Sequence, residues 1–580
     1  MLVSLSGAVA VVAAIQLVVP YLAEAQMPQP SRTALQRSDS GAILRVARGA
    51  QAKFERIRFN NLPWAWEGGG RECDEIIGRF CITHGDSDDK WKPPPEPPRV
   101  TSERDALISA LEAAALRLPG DNWVAGQRVR YLVEADRHAE ALAAAGACRA
   151  DQWWCTSLAA LVEHRRGRFH EADSLFEVAL AEMPEKESLR WSDLRILLTG
   201  EDLRIFKRST PERQDSLASR LWWLADPLWM RPGNDRRTEH YARHVMDRIY
   251  KDARTPEGAS WASDLGEILI RYGPMTGWER VRANTSSMGR PGVVGHFMPN
   301  GREFLPEARW FENPGAIVPG EWMLKSDGTK TEYLPSYVSS FHSLEHQIAV
   351  FRRGDSALVV AAFQLPADST PQSATVEGAL VLASDERTTL ATRRESSRGL
   401  RGVLNATVAA IPAVVSIEAL VDSGKRAYRA RFGLPMPGGG ASSLSLSDVL
   451  LLEGAGGIKA RSLEEAMIRA RGTTAVKSGE RVPLYWEVYG LKAQEESLQV
   501  ELALEPVDHK WMRRTAERLR LRAPTPSVRL RWGDRSKGQD IVSHALDLEL
   551  PKLPRGRYVL RIIMRQGEEQ AVAERRLVAR

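Results

Sequence analysis

The spacing of apolar residues changes near residue 340, and that change restricts what each part of the chain can become. Before it, apolar side chains recur at helical intervals, as in Leu107, Ile108, Leu111, Ala115 and Leu118, or Tyr241, Val245 and Ile249 at i, i+4, i+8. After it they alternate in short runs over 358–363, 376–382, 414–421, 484–489, 498–504 and 558–564, punctuated by turn signals at Gly354, Asp385, Gly424 and Gly479. A period of two buries one face of a strand and a period near 3.6 one face of a helix. The chain therefore reads as multidomain α+β: N-terminal helical hairpin repeats, a central mixed α/β domain, and C-terminal tandem antiparallel β-sandwiches.

With 580 residues the chain exceeds what one hydrophobic core serves. The expected divisions are a segment over 1–25, a Pro/Arg-rich segment with a cystine pair and linker over 26–100, helical repeats over 101–220, a central domain over 221–335, and β-sandwiches over 336–437 and 444–580. The run Trp91 to Pro98 contains five prolines and reads as a stiff polyproline spacer; Pro437 to Ser443 reads as a linker between sandwiches. Ser102 and Asp105 suggest a capped helix start, with Pro119-Gly120 as its stop. The central domain is read as a helix over 236–252 followed by a strand over 267–272 that Gly273-Pro274 cuts.

Leu2 to Ala23 carries no charge, and Ala23-Glu24-Ala25 supplies the small-x-small pattern of signal cleavage. The expectation is an exported protein, periplasmic or at the cell surface, starting at Gln26 after cleavage; an uncleaved N-terminal membrane anchor is the other outcome. In an oxidising compartment the four cysteines become disulfides, and the local pairing Cys73 with Cys81 and Cys148 with Cys155 is the simplest. Zinc ligation by all four fits the spacing poorly.

Ala160, Gly167, Ala172, Phe176, Ala179 and Pro184 resemble a tetratricopeptide repeat, and Val129, Asp136, Ala141, Ala145 and Cys148 hold corresponding places 31 residues earlier, against a family period of about 34. Residues 260–274, SWASDLGEILIRYGP, are similar to the signature of the GWxTD domain of exported bacterial proteins: Trp261, Asp264, Gly266, Arg271, Tyr272, Gly273 and Pro274 match, while Ser260 and Ser263 replace the family's Gly and Thr. Leu224 to Pro227, Asn234, Glu239 and the strand motif at Glu487 to Tyr489 extend the resemblance over about 220–580. It implies architecture and compartment and assigns no activity, cofactor or substrate. From the residues themselves, Asp264 suits a tight turn, Gly266 relieves backbone strain and Trp261 is an apolar anchor, which makes the motif a folding device.

No nucleophile elbow, phosphate loop, H-E-x-x-H or dinucleotide fingerprint occurs, so no catalytic residue and no cofactor is assigned. Two H-x-x-x-H pairs, His240 with His244 and His342 with His346, would each face one side of a helix; with Glu239 or Glu345 as general base they define the alternative of a metal-dependent hydrolase acting on envelope material. Arg518, Arg520, Arg522, Arg529 and Arg531 alternate with leucines, which places a candidate anion-binding face on a strand. The net charge of +6 from 80 basic and 74 acidic residues is too small to call for nucleic acid. The leading reading is a binding and assembly protein of the cell envelope with no catalytic activity of its own. It would take a protein or peptide partner through its helical repeats and associate with a membrane or envelope surface.

Overall fold

The computed structural model describes residues 32–65, 73–82, 91–281, 292–326, 328–421, 425–436, 443–454, 460–491, 497–507, 528–535 and 540–580. The expected signal segment, the linker at 437–442 and Arg518, Arg520 and Arg522 lie outside these residues. Among the described residues no helix is long and apolar enough to cross a membrane.

A helix-rich region comes first. It runs α1 (Arg32–Asn60), the hairpin β1 (Glu75–Ile77) and β2 (Phe80–Ile82), α2 (Pro98–Arg117), α3 (Asn122–Glu134), α4 (His138–Gly146), α5 (Gln152–Arg165), α6 (Phe169–Glu182) and α7 (Glu185–Ser192). It continues with α8 (Gly200–Arg208), α9 (Pro211–Ala225), α10 (Asp235–Lys251), α11 (Ser263–Tyr272), the pair β3 (Gly277–Val281) and β4 (Gly292–His296), and the short α12 (Ala308–Glu312).

Two expectations fail here, and one element was not expected: within 26–100, α1 supplies 29 helical residues whose Ala47 and Phe54 enter the helical core. The first turn of α2 starts at Pro98, ahead of Ser102, because proline suits a first helical position whose N–H has no partner anyway. Residues 263–272 are helix α11 and not a strand: Leu265, Ile268, Leu269 and Tyr272 are buried at i, i+3, i+4, i+7.

The helices α3 and α5 close alike. Arg137 N–H donates to Leu132 O and Asp136 N–H to Val133 O, and 31 residues on Arg168 N–H donates to Glu163 O and Gly167 N–H to His164 O. Both turns pass through a left-handed residue, Asp136 at φ 58° and Gly167 at φ 73°. The two disulfides form as expected, Cys73–Cys81 across the β1–β2 hairpin and Cys148–Cys155 across the α4–α5 connection.

The β-rich region follows. Its first strands are β5 (Ser340–Ser343), β6 (Glu345–Arg353), β7 (Ser356–Gln364), β8 (Thr375–Ala383), β9 (Thr389–Arg398), β10 (Arg401–Ala409), β11 (Ala413–Val421) and β12 (Arg426–Leu434). They form a three-stranded sheet β10-β7-β6 and a five-stranded sheet β5-β12-β11-β8-β9. Next come β13 (Ser445–Leu446), β14 (Leu450–Leu451), α13 (Leu463–Ile468), β15 (Ala475–Val476), β16 (Arg481–Tyr489), β17 (Ser497–Pro506), β18 (Val528–Arg535), β19 (Ile541–Glu549), β20 (Gly556–Gln566) and β21 (Glu569–Ala579). Here β16 is flanked by β13, β14 and β19, and a second sheet runs β15-β21-β20-β17-β18. Pairing is antiparallel except for β5 on β12 and β15 on β21.

The cores do not follow the order of the chain. Leu217, Leu221, Trp222 and Leu224 of α9 pack with Phe363, Leu380, Val415 and Phe432 of the first two sheets, while Tyr241, Val245 and Ile249 of α10 join the core of α2 to α6. The division expected at 220/221 thus falls inside α9, and consecutive helices belong to different cores. All nine residues of β11 are buried, because its second face is covered by the α9–α10 connection.

Candidate functional site

The helix α10, DRRTEHYARHVMDRIYK, is strongly polar and almost wholly buried. Its apolar stripe faces the helical core as expected, so the opposite stripe brings charges into the interior, where each needs a partner. Glu239 receives Arg243 Nε on Oε1 at 2.7 Å and His164 Nε2 of α5 on Oε2 at 2.7 Å. Arg243 then spends its remaining donors on main-chain oxygens: Nη1 on Ile270 and Arg271 at 3.0 Å each, Nη2 on Glu332 at 2.7 Å. Two of those oxygens end α11, where unsatisfied carbonyls and the helix dipole favour a cation.

Six of the seven matching residues of the family-like motif serve this junction. Gly273 takes φ +87°, and a Cβ there would stand 2.8 Å from Arg243 Nη2, so both backbone and space require glycine. Gly266 has no special backbone angle; its missing Cβ would lie 2.7 Å from Asp247 Oδ1, and that close approach, not relief of strain, is its use. Trp261 Nε1 donates to the same Asp247 oxygen at 2.8 Å, and Arg190 of α7 pairs with the other. Asp264 sits in the first turn of α11, accepts Leu265 N–H, and is gripped by Arg79 of the β1–β2 turn through Nε at 2.6 Å and Nη2 at 2.9 Å. The Arg79 guanidinium holds its carboxyl far below the usual range. Arg271 meets Glu75 of β1 with both Nη atoms, at 3.0 and 2.8 Å, and Tyr272 Oη donates to Glu75 at 2.7 Å. The motif thus fastens α10, α11 and the cystine hairpin to one another.

A cleft of about 480 Å³ opens above the ion chain, with His164, Arg243, Gly273, Pro274 and Tyr333 in its walls. The chain beneath has no spare proton acceptor. Burial lowers the His164 pKa against the pull of Glu239; Nε2 faces Glu239, and Nδ1 lies 2.9 Å from the Thr238 hydroxyl oxygen, whose proton goes to Asp235 O at 3.1 Å. Burial also opposes charge on Glu239, but Arg243, Arg165 and His164 together hold its carboxyl well below the usual range. With both oxygens and both ring nitrogens engaged, the triad ties α5 to α10.

The histidine pairs are placed differently from one another. His240 and His244 do share a face of α10, with ring centroids 4.7 Å apart, but it is an interior face beneath Trp191 and Trp222. His240 Nε2 donates to Trp191 O at 3.0 Å, and burial pushes the His244 pKa down to about 3. His342 and His346 are not on a helix: they lie on β5 and β6, where His342 pairs with Ser340 Oγ and His346 with Leu344 O while its ring stacks on Phe432. Among the described residues no group of three or more His, Cys, Asp or Glu side chains gathers as a metal could require. Beside the pair, Arg236 is fully buried without a hydrogen bond to any guanidinium nitrogen, between the rings of Trp222 and Tyr333 at 5.7 and 5.9 Å.

A second buried junction was not legible beforehand. Glu418 of β11 accepts Trp229 N–H at 2.9 Å and Met230 N–H at 2.8 Å, and Arg431 of β12 donates to Leu224 O and Asp226 O at the end of α9. This explains the Leu224 to Pro227 feature, whose carbonyls are held by a sheet two hundred residues downstream in sequence. Of the arginine face, Arg529 and Arg531 lie on β18 and pair with Glu501 of β17 at 3.3 and 3.2 Å.

A groove of about 630 Å³ runs between α3 and α10, walled by Trp123, Gly126, Trp154, Arg248 and Ile249. Arg248 lies over the rings of Trp153 and Trp154 at 4.8 and 5.2 Å.

No protein-family model matches the chain, and no curated protein matches it. Among solved structures it is similar to red sea bream transglutaminase at 8% identity, covering 56% of this chain and 43% of that one with a TM-score of 0.15. A two-domain fibronectin type-III segment of chicken tenascin matches at 9% identity over 40% of this chain and 98% of that one, TM-score 0.12. Bacteroides uniformis beta-glucuronidase matches at 7% identity over 39% and 26%, TM-score 0.14. The chain spans less than half the length of the transglutaminase it matches.

Proposed function

We propose that this chain is an exported GWxTD-type protein of the bacterial cell envelope that binds a protein or peptide partner through its helical hairpins and transforms nothing. The observation that carries the reading is the α3–α10 groove, where the partly exposed Trp123 and Arg248 flank a depression floored by the buried Trp154 and Ile249. Aromatic and arginine side chains on a rigid helical wall are the usual anchors of partner recognition. In this reading α3–α4 and α5–α6 are two tetratricopeptide-like units stapled by Cys148–Cys155, and the sheets form two sandwich units that act as spacer or docking modules. Two cystines suit an oxidising compartment. The hydrolase alternative has little to rest on, because the His240 and His244 rings are interior and His342 and His346 are not on one helix.

The test places a photo-reactive amino acid at position 123 of the full chain in its native envelope, with position 572 on the open face of β21 as control. A partner cross-linked at 123, absent at 572 and lost on Arg248→Glu supports the reading. Equal labelling at both positions overturns it, as does turnover of a wall polymer or peptide by homogeneous protein that a single substitution abolishes.

A further inference from the structure

The last sheet, β15-β21-β20-β17-β18, turns one face to a core and the other to solvent. Leu498, Val500, Leu502 and Leu504 of β17 and Leu560, Ile562 and Met564 of β20 fill the core, so a period of two sends their neighbours outwards. Among the described side chains, that outward face carries Arg529 and Arg531 of β18, Arg557, Arg561 and Arg565 of β20 and Arg576 of β21. Against them stand Glu501 and Glu505 of β17 and Glu574 of β21. Six arginines over three glutamates leave three positive charges, half of the +6 of the whole chain, on one side of four strands.

Pairing within the face does not exhaust this charge. Glu501 is shared by Arg529, Arg531 and Arg565 at 3.3, 3.2 and 3.4 Å, and Glu505 by Arg529 and Arg561 at 3.5 and 3.4 Å. A carboxylate shared among guanidiniums neutralises the charge of one, and every guanidinium has several donors to place. Protection of a free sheet edge would account for arginines on β18 alone, yet three of the six stand on β20, the middle strand of the five. Aliphatic side chains are set among them: Ile563 lies opposite Val572 and Val559 opposite Arg576, and Val572 and Val578 are 47% and 37% exposed. A small anion needs donors converging in a cleft, and neither cleft described above reaches this sheet. A broad array of guanidiniums interspersed with aliphatic groups matches an anionic surface with an apolar layer beneath it.

We propose that the outward face of β18, β17, β20 and β21 docks on an anionic phospholipid bilayer, with its arginines at the headgroup phosphates and Val572 and Val578 at the acyl boundary. The face shares no residue with the α3–α10 groove, so either reading can fail without the other.

Co-sedimentation tests it, using the chain from Gln26 onwards, which leaves out the apolar N-terminal run, and vesicles of phosphatidylcholine with or without about 40 mol% phosphatidylglycerol. The chain pellets with the anionic vesicles and not with the neutral ones, and raising salt from about 0.05 to about 0.3 M weakens binding about tenfold or more. Arg531→Gln, Arg561→Gln and Arg576→Gln together weaken it about tenfold or more, whereas Arg204→Gln, Arg213→Gln and Arg309→Gln, at three exposed arginines of the helix-rich region, leave it within about twofold. Val572→Ser with Val578→Ser weakens it about threefold or more. Unchanged melting temperatures for these variants separate loss of binding from loss of fold. In the native envelope, a photo-reactive side chain at position 572 labels phospholipid and no protein. The proposal is overturned if neutral and anionic vesicles bind alike, if the two arginine sets act alike, or if binding is indifferent to the valine changes. Displacement of the vesicles by inorganic phosphate at about 10 mM, or a protein adduct at position 572, overturns it as well.

Discussion

Two arginine-rich stretches of this chain look alike as text and behave as opposites in the fold. In α10, Arg243 is 2% exposed and spends its donors on one carboxylate and three carbonyls from three separate elements. On β18, Arg531 is 68% exposed and reaches Glu501 across the sheet at 3.2 Å. In water such a pair contributes about 0–1 kcal/mol, because solvent and salt screen it and two long side chains must be held still. In the interior the same guanidinium cannot leave its partners without stranding a carboxylate and several carbonyls. Charge count therefore says little; the number of elements that converge on the charge says much.

The largest expected effect breaks the buried side of the comparison. Arg243→Met should lower unfolding stability by about 3–5 kcal/mol in chemical denaturation, since Glu239 is left buried and α11 loses the donor for its last carbonyls. A loss under about 1 kcal/mol would mean the ion chain is no more than a surface pair. Next comes Gly273→Ala, which meets both the positive φ and Arg243; about 2 kcal/mol should be lost, and the double variant with Arg243→Met should lose less than the sum.

A smaller effect depends on pH. The folded His244 pKa is pushed down to about 3, mainly by burial, while an unfolded histidine titrates near 6.5. Between those values the unfolded chain binds a proton that the folded chain refuses, so His244 makes stability fall as pH drops from 6.5 towards 3 and contributes no slope above 6.5. His244→Phe, which preserves a ring against Trp191, should flatten that limb and gain about 1–2 kcal/mol at pH 5 relative to pH 7, read from melts across the range. An unchanged slope would show that the ring is accessible to protons in the folded state. The smallest effect is Arg531→Gln, within about 0.5 kcal/mol and insensitive to added salt beyond the wild-type trend. A loss comparable with Arg243→Met would erase the contrast altogether.

Much of the framework could be read without coordinates. The six alternating runs became β7, β8, β11, β16, β17 and β20, and the Tyr241, Val245, Ile249 stripe marked α10 and its buried face. Close cysteine spacing was enough for both disulfides. The segment 267–272, expected as a strand, is helical because Leu265, Ile268, Leu269 and Tyr272 carry a helical spacing and Gly273 the matching stop. Helix α1 was missed because its arginines mask Ile43, Ala47, Ala50 and Phe54, which also keep helical spacing. The motif at 260–274 was recognisable as a pattern, but the partners of its side chains, Asp247, Arg79 and Glu75, lie outside it.

By itself the sequence determined where helices give way to strands, which cysteines pair, and which apolar stripes turn inward, because those properties depend on residues close together along the chain. Only the tertiary structure decided that the polar face of α10 is interior, that α9 belongs with the sheets, and that Arg243 and Arg431 end helices formed by other segments. Whether a charge is solvated or buried depends on what folds over it from hundreds of residues away, and no local spacing encodes that.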